Sequence, residues 1–360
     1  MPSLFDPIAL GPYTLRNRIF MAPMTRGRAT PEGVPTPLMA DYFRQRASAG
    51  LIITDATAIS PQGVGWVNAP GVFTDAHAQG WKAVTAAVHE ADGRIFLQLW
   101  HMGRVSHPDF LDGALPVGPS AIAAAGQSHT PQGTKDYVVP RALDAEELPG
   151  IVADYVAAAR RALAAGFDGV EVHGANGYLL DQFLRDGANQ RDDDYGGSIE
   201  NRWRFPLQVA AAVADAVGKE RTGIRLSPTS SYNDMSDTDP VASFSHGARE
   251  LAALGLAYVH VLEPLPGHML ANADAPTVHP HIRAAFPNPV ILNGGYDRAT
   301  GDAALAAGQA DAIAFGLTFL ANPDLPRRLQ EDGPLNAPDF ANLYTPGPKG
   351  YTDYPRLGES

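Results

Sequence analysis

The 360 residues contain no cysteine. That excludes disulfides, a thiolate nucleophile and any cysteine-ligated metal. It suits a reducing compartment, so a cytoplasmic location is the expectation. Charge is sparse at 18% and unbalanced, with a net charge of −12. Nucleic-acid and anionic-membrane binders present a basic face, so neither partner is expected, and a phosphate ligand has to be held by local donors. No run of about 18 apolar residues occurs, which excludes a membrane-spanning helix. No basic and then apolar leader is visible over residues 1–11. Also missing is a Gly-x-Gly-x-x-Gly turn after any strand, the mark of a dinucleotide-binding sheet.

What is present is an alternation of short apolar runs with longer helical stretches. Strands are expected at 18–22, 50–57, 94–99, 169–173, 223–227, 257–262, 289–293 and 312–316. Their near-continuous Val, Ile, Leu and Phe content suits parallel strands covered on both faces. Helices are expected at 148–165, 201–217, 240–254 and 297–307, each followed by glycine (Gly166, Gly218, Gly255, Gly308) as a C-terminal stop. Eight strands alternating with helices fit a (β/α)8 barrel or a doubly wound sheet. The count of eight and the missing fingerprint favour a single α/β TIM-barrel domain over residues 1–360. The connections at 100–141 and 174–198, after strands three and four, are too long for plain loops and are expected to shape the catalytic face. The tail from Pro334, rich in Pro and Gly, is expected to wrap the barrel. Monomer and homodimer are both compatible with the sequence.

In such a barrel the chemistry sits at the C-terminal strand ends. Those positions here are Pro23, Met24 and Thr25 after strand one, Ala58 at the end of strand two, and Gln98 with Trp100 on strand three. They continue with His173, Asn176 and Tyr178 after strand four, Arg225 on strand five, Asn293, Gly294 and Gly295 after strand seven, and Gly316 and Leu317 after strand eight. Glycine turns after strands seven and eight offer backbone donors to a phosphate, although a plain βα turn uses the same residues. An arginine inside a strand calls for an anion or a polar ligand. His173 and Asn176, three residues apart, are expected on one helical turn as two neutral donors for a carbonyl oxygen. Tyr178 is placed to supply a proton. Trp66 and Trp100 are candidates for the pocket wall, and Trp100, two residues from Gln98, points to the same side of an extended run. His279, His281, His101 and His107 raise a metal-dependent hydrolase as an alternative, but no carboxylates cluster with them at strand ends, so no metal is expected.

Taken together, residues 17–26, 96–104, 166–179, 195–202, 321–325 and 349–355 resemble the old yellow enzyme family of FMN-dependent ene-reductases, in order and spacing and over nearly the whole chain. The resemblance implies FMN at the barrel mouth. Pro23, Met24 and Thr25 would line the isoalloxazine, with Ala58 and Gln98 at its pyrimidine side and Arg225 near N1. Asn293, Gly294, Gly295 and Gly316 match the phosphate turns. His173 and Asn176 match the pair that holds the substrate oxygen, Tyr178 matches the proton donor, and Tyr351 is placed near the pocket. It further implies NADPH or NADH as hydride donor and electron-poor alkenes as substrates, in a ping-pong reaction. A non-catalytic flavin-binding sensor is the alternative. One position departs from the family: Leu317 stands where members carry an arginine that pairs with the FMN phosphate. FMN is therefore expected to bind through backbone donors, about ten- to a hundredfold more weakly.

Overall fold

The computed structural model describes residues 1–268 and 274–359. Eight strands close into a barrel: β1 (Ile19–Met21), β2 (Ile52–Ala58), β3 (Ile95–Trp100), β4 (Gly169–Gly174), β5 (Thr222–Leu226), β6 (Tyr258–Leu262), β7 (Val290–Asn293) and β8 (Ala312–Phe315). Each strand pairs in parallel with its sequential neighbours, and β8 returns to β1 through Ile313 opposite Ile19. The strands are buried on both faces, which is why their apolar runs are nearly unbroken.

Helices α1 (Pro37–Gln45), α2 (Asp75–Glu90), α3 (Leu148–Ala164), α4 (Ile199–Val217), α5 (Pro240–Leu254), α6 (His279–Ala285), α7 (Arg298–Ala306) and α8 (Leu325–Glu331) form the outer ring. Four were expected, and all four of their glycine stops carry positive φ: Gly166 at 95°, Gly218 at 101°, Gly255 at 71° and Gly308 at 68°. A side chain is strained there, so glycine ends the helix. Among the described residues no helix is long and apolar enough to cross a membrane.

Two apolar layers position the site. The larger lies between strands and helices, with Trp81, Tyr155, Trp203 and Phe244 fully buried in it. The smaller fills the lower barrel with Phe20, Leu51, Ile53, Phe96, Tyr258 and Ile291. An antiparallel hairpin, Ile8–Leu10 with Tyr13–Leu15, adds Ile8, Leu10 and Leu15 to that lower layer. The bottom is thus plugged with hydrocarbon, and polar side chains collect at the other end.

The segment after β3 carries a second hairpin, Gln127–Thr130 with Gly133–Asp136. The C-terminal tail crosses the barrel and is anchored by Arg28, which donates to the carbonyls of Leu343, Asn342 and Lys349 at 2.6, 2.9 and 3.1 Å. The same guanidinium lies 4.9 Å over the Tyr351 ring, which stacks on Tyr42 at 3.9 Å. Tyr351 is therefore a fully buried anchor of the tail, not a pocket residue. The physical reason is that the crossing tail buries this ring between Tyr42 and Arg28.

Candidate active site

A cavity of about 660 Å³ opens where the strands end. Pro23, Met24 and Thr25 line it from the segment after β1, Gln98 and Trp100 from β3, His173 from β4 and Arg225 from β5. Asn176, Tyr178, Asn293, Gly294, Gly295, Gly316, Leu317 and Trp66 also line it. Ala58 does not. Ala56, two residues earlier on the same side of β2 and paired with Gln98, meets the cavity in its place. Ala58 instead uses its backbone to hold the Pro70–Val72 segment, at 2.9 and 3.0 Å.

The cavity floor is polar and ordered. Gln98 Nε2 donates to Glu171 Oε1 at 2.8 Å, and Glu171 Oε2 lies 2.9 Å from His260 Nδ1. Arg225 donates to Asn293 Oδ1 at 2.8 Å, and Asn293 Nδ2 donates to the Ala314 carbonyl at 2.7 Å. The Asn293 side chain thus orients Arg225 and ties β7 to β8, while Gly294 and Gly295 make the turn. Arg225 Nε remains buried without a partner, an uncompensated donor beside the cavity.

On the opposite wall His173 is the last inward-facing residue of β4. Asn176 does not share a helical turn with it. Strand β4 runs to Gly174, and Asn176 (φ 60°) and Gly177 (φ 71°) then reverse the chain in left-handed conformations. Asparagine is among the few side chains that tolerate this region. Asn176 N–H donates to Ser227 Oγ at 2.7 Å, Asn233 Nδ2 donates to the Asn176 carbonyl at 2.8 Å, and Gly177 N–H donates to Asp181 at 2.8 Å. The Asp181 carboxyl, desolvated beneath the turn, is pushed up to about 6.

The His173 and Tyr178 rings lie 5.0 Å apart, and the Tyr178 and Trp100 rings are also 5.0 Å apart. His173 Nδ1 is buried without a partner. Burial first, then the neighbouring Arg225 and His260 charges, hold its imidazole well below the ordinary histidine value, so it stays neutral. Burial likewise pushes the Tyr178 hydroxyl well above the ordinary tyrosine value. Tyr178 therefore keeps its proton at any working pH. Three of the histidines weighed as metal ligands are engaged elsewhere: His279 with Glu263 at 2.8 Å, His101 with the Gly103 N–H at 3.0 Å, and His107 with Asp109 at 3.4 Å. Among the described residues no three His, Asp or Glu side chains gather as a metal site.

Several lining residues were not anticipated from sequence. Arg26, Tyr232, His268, Phe340 and Tyr344 also face the cavity. Tyr344 packs 5.4 Å from Trp66 with the Arg26 guanidinium 4.6 Å over its ring. It arrives on the tail, which carries no periodic signal.

The family model for the NADH:flavin oxidoreductase / NADH oxidase family matches residues 3–336. The chain belongs to this family. A rice 12-oxophytodienoate reductase 1 is 44% identical over 360 residues, covering 99% of the chain and 93% of that protein. A chanoclavine-I aldehyde reductase of Penicillium roqueforti is 45% identical, covering 98% and 96%. The solved old yellow enzyme homologue from Zymomonas mobilis superposes with a TM-score of 0.97 at 50% identity, covering 99% of this chain and all of that one. Morphinone reductase in complex with tetrahydroNAD gives 0.94 at 48%, covering 99% and 98%. The protein is thus an FMN-dependent oxidoreductase of the old yellow enzyme, ene-reductase type.

The residues present suit FMN. The unpartnered Arg225 Nε and the Gln98 amide offer donors to a polar ring edge. The turn at Gly294 (φ 136°) and Gly295 (φ 90°) has no room for side chains, since a Cβ on Gly294 would lie 2.6 Å from Pro264 Cα. Such a turn brings backbone donors close to a phosphate. The two arginines lining the cavity, Arg26 and Arg225, have partners elsewhere in it, and Leu317 supplies no charge. We expect Leu317→Arg to tighten FMN binding about ten- to a hundredfold, the range of a charge-assisted contact. Titration of apoprotein with FMN measures this, and equal dissociation constants would mean that the glycine turns already saturate the phosphate.

Proposed function

We propose that this enzyme reduces the activated C=C bond of α,β-unsaturated ketones, aldehydes, imides or nitroalkenes with NADPH or NADH. The observation that carries this reading is the placement of a neutral imidazole with a buried, unpartnered nitrogen (His173), a carboxamide (Asn176) and a protonated phenol (Tyr178) on one cavity wall. Bound FMN would supply the hydride-relay chemistry between nicotinamide and alkene, and a mouth shared by both substrates would make the kinetics ping-pong.

The chain's own residues do the rest. Thr25, Gln98, Arg225 and the glycine turns hold and orient the flavin. Arg225 would supply a permanent positive charge beside that ring. His173 and Asn176 donate to the substrate oxygen or nitro group and stabilise the negative charge that develops as the β-carbon is attacked. Neutrality matters here, because a charged imidazolium buried beside Arg225 would be costly. Tyr178 gives its proton to the α-carbon. Sustained turnover of cyclohexenone with NADPH tests the reading; a single turnover at most would place the chain among flavin-binding sensors.

Trp66 and Trp100 both line the cavity, and Trp100 meets Tyr178 edge to face. Their bulk selects which face of the alkene meets the hydride. Trp66→Ala and Trp100→Ala are each expected to change the enantiomer ratio of a prochiral enone product severalfold, read by chiral chromatography. Unchanged ratios would reduce both rings to packing.

A further inference from the structure

Beneath the cavity lies a buried carboxyl–imidazole pair that the reaction itself does not use. Glu171 and His260 are both fully buried inside the barrel, on β4 and β6, joined at 2.9 Å. Barrel interiors are ordinarily filled with branched aliphatic side chains. An ionisable pair there is costly unless its groups are satisfied. The second carboxylate oxygen of Glu171 accepts from Gln98 Nε2 at 2.8 Å. Glu171 and Gln98 sit directly opposite each other in the β3–β4 register, so the contact is built into the sheet.

We propose that Glu171, braced by His260, is a positioning residue that fixes the orientation of the Gln98 amide toward FMN. A carboxylate only accepts, so it commands the amide nitrogen of Gln98 and forbids the flipped amide. What Gln98 then offers the cavity is its carbonyl oxygen and its second N–H, side by side. The flavin pyrimidine presents an N–H beside a carbonyl, which is the complementary pair. Without the carboxylate the two amide orientations become nearly equivalent, and only one of them matches the ligand. The inference rests on the FMN assignment of the cavity.

Glu171→Gln, Gln98→Ala and the double variant test it on apoprotein titrated with FMN, together with the midpoint potential of the bound flavin. Glu171→Gln alone is expected to weaken FMN about tenfold, the scale of one hydrogen bond, and to shift the potential. In the Gln98→Ala background the same substitution is expected to change affinity less than about twofold and to leave the potential where Gln98→Ala put it. Equal losses in both backgrounds, or a potential shift that persists without Gln98, would make Glu171 a plain buried charge and overturn the proposal. So would a variant that changes only the melting temperature. If Glu171→Gln does not fold, His260→Gln frees the other carboxylate oxygen; it should lower affinity only when Gln98 is present, and a loss independent of Gln98 refutes the idea. Failure of the unaltered chain to bind FMN would instead refute the cofactor assignment.

Discussion

Tyr178→Phe should leave flavin reduction by NADPH nearly unchanged while slowing reoxidation by an enone about 10²-fold or more, the usual worth of a positioned acid. The split follows from the role proposed for the hydroxyl. Hydride transfer from a nicotinamide needs no proton from the protein, whereas the α-carbon does. The phenyl ring of the variant keeps the packing against His173 and Trp100, at 5.0 Å in each case, so the pocket wall survives. Stopped-flow measurement of the two half-reactions separates them. Equal slowing of both would show that Tyr178 shapes the nicotinamide site, and no slowing of either would leave solvent as the acid.

Removing the two donors should have an effect at least as large. His173→Ala and Asn176→Ala are each expected to slow enone reduction about 10²-fold, the cost of losing one preorganised donor to a developing oxyanion. With both donors serving one oxygen, as proposed, the double variant should lose less than the product of the single losses. The alkene half-reaction should also show no inflection near the ordinary histidine range. His173 is held below that range by burial and by Arg225, so lowering the pH through it does not charge the imidazole, and the rate stays flat. A rate that rises as the pH falls there would mean that the imidazolium is the working form. A pH series of single-turnover oxidation rates decides this.

How much of this was legible in the sequence depended on the kind of signal. The strands were readable because burial on both faces leaves them almost wholly apolar. The four helices that end on glycine were readable because a left-handed stop nearly requires that residue. Helices α1, α2 and α6 stop on other residues. After α2 the left-handed position is taken by Asp92 at φ 57°, and α6 ends at Phe286 in extended backbone, so no glycine marked them. Within the site, residues on regular strands (Gln98, His173, Arg225) stand where strand alternation put them. Ala58 shares a face with Ala56, but the Pro70–Val72 segment pairs with it, and no strand pattern announces that segment. Three-residue spacing is common to a helical turn and to the left-handed turn at Asn176, so spacing alone does not tell them apart. Tyr344 and Tyr351 differ through their partners: Arg28 and Tyr42 hold Tyr351 under the tail, while Trp66 and Arg26 hold Tyr344 at the rim.

The two half-reactions observed in one cuvette test the central claim most directly. Protein reconstituted with FMN should be yellow, bleach with one equivalent of NADPH in the absence of oxygen, and recover its colour on addition of cyclohexenone with formation of cyclohexanone. Protein that binds no flavin, or that bleaches and stays bleached in the presence of the enone, would contradict the account.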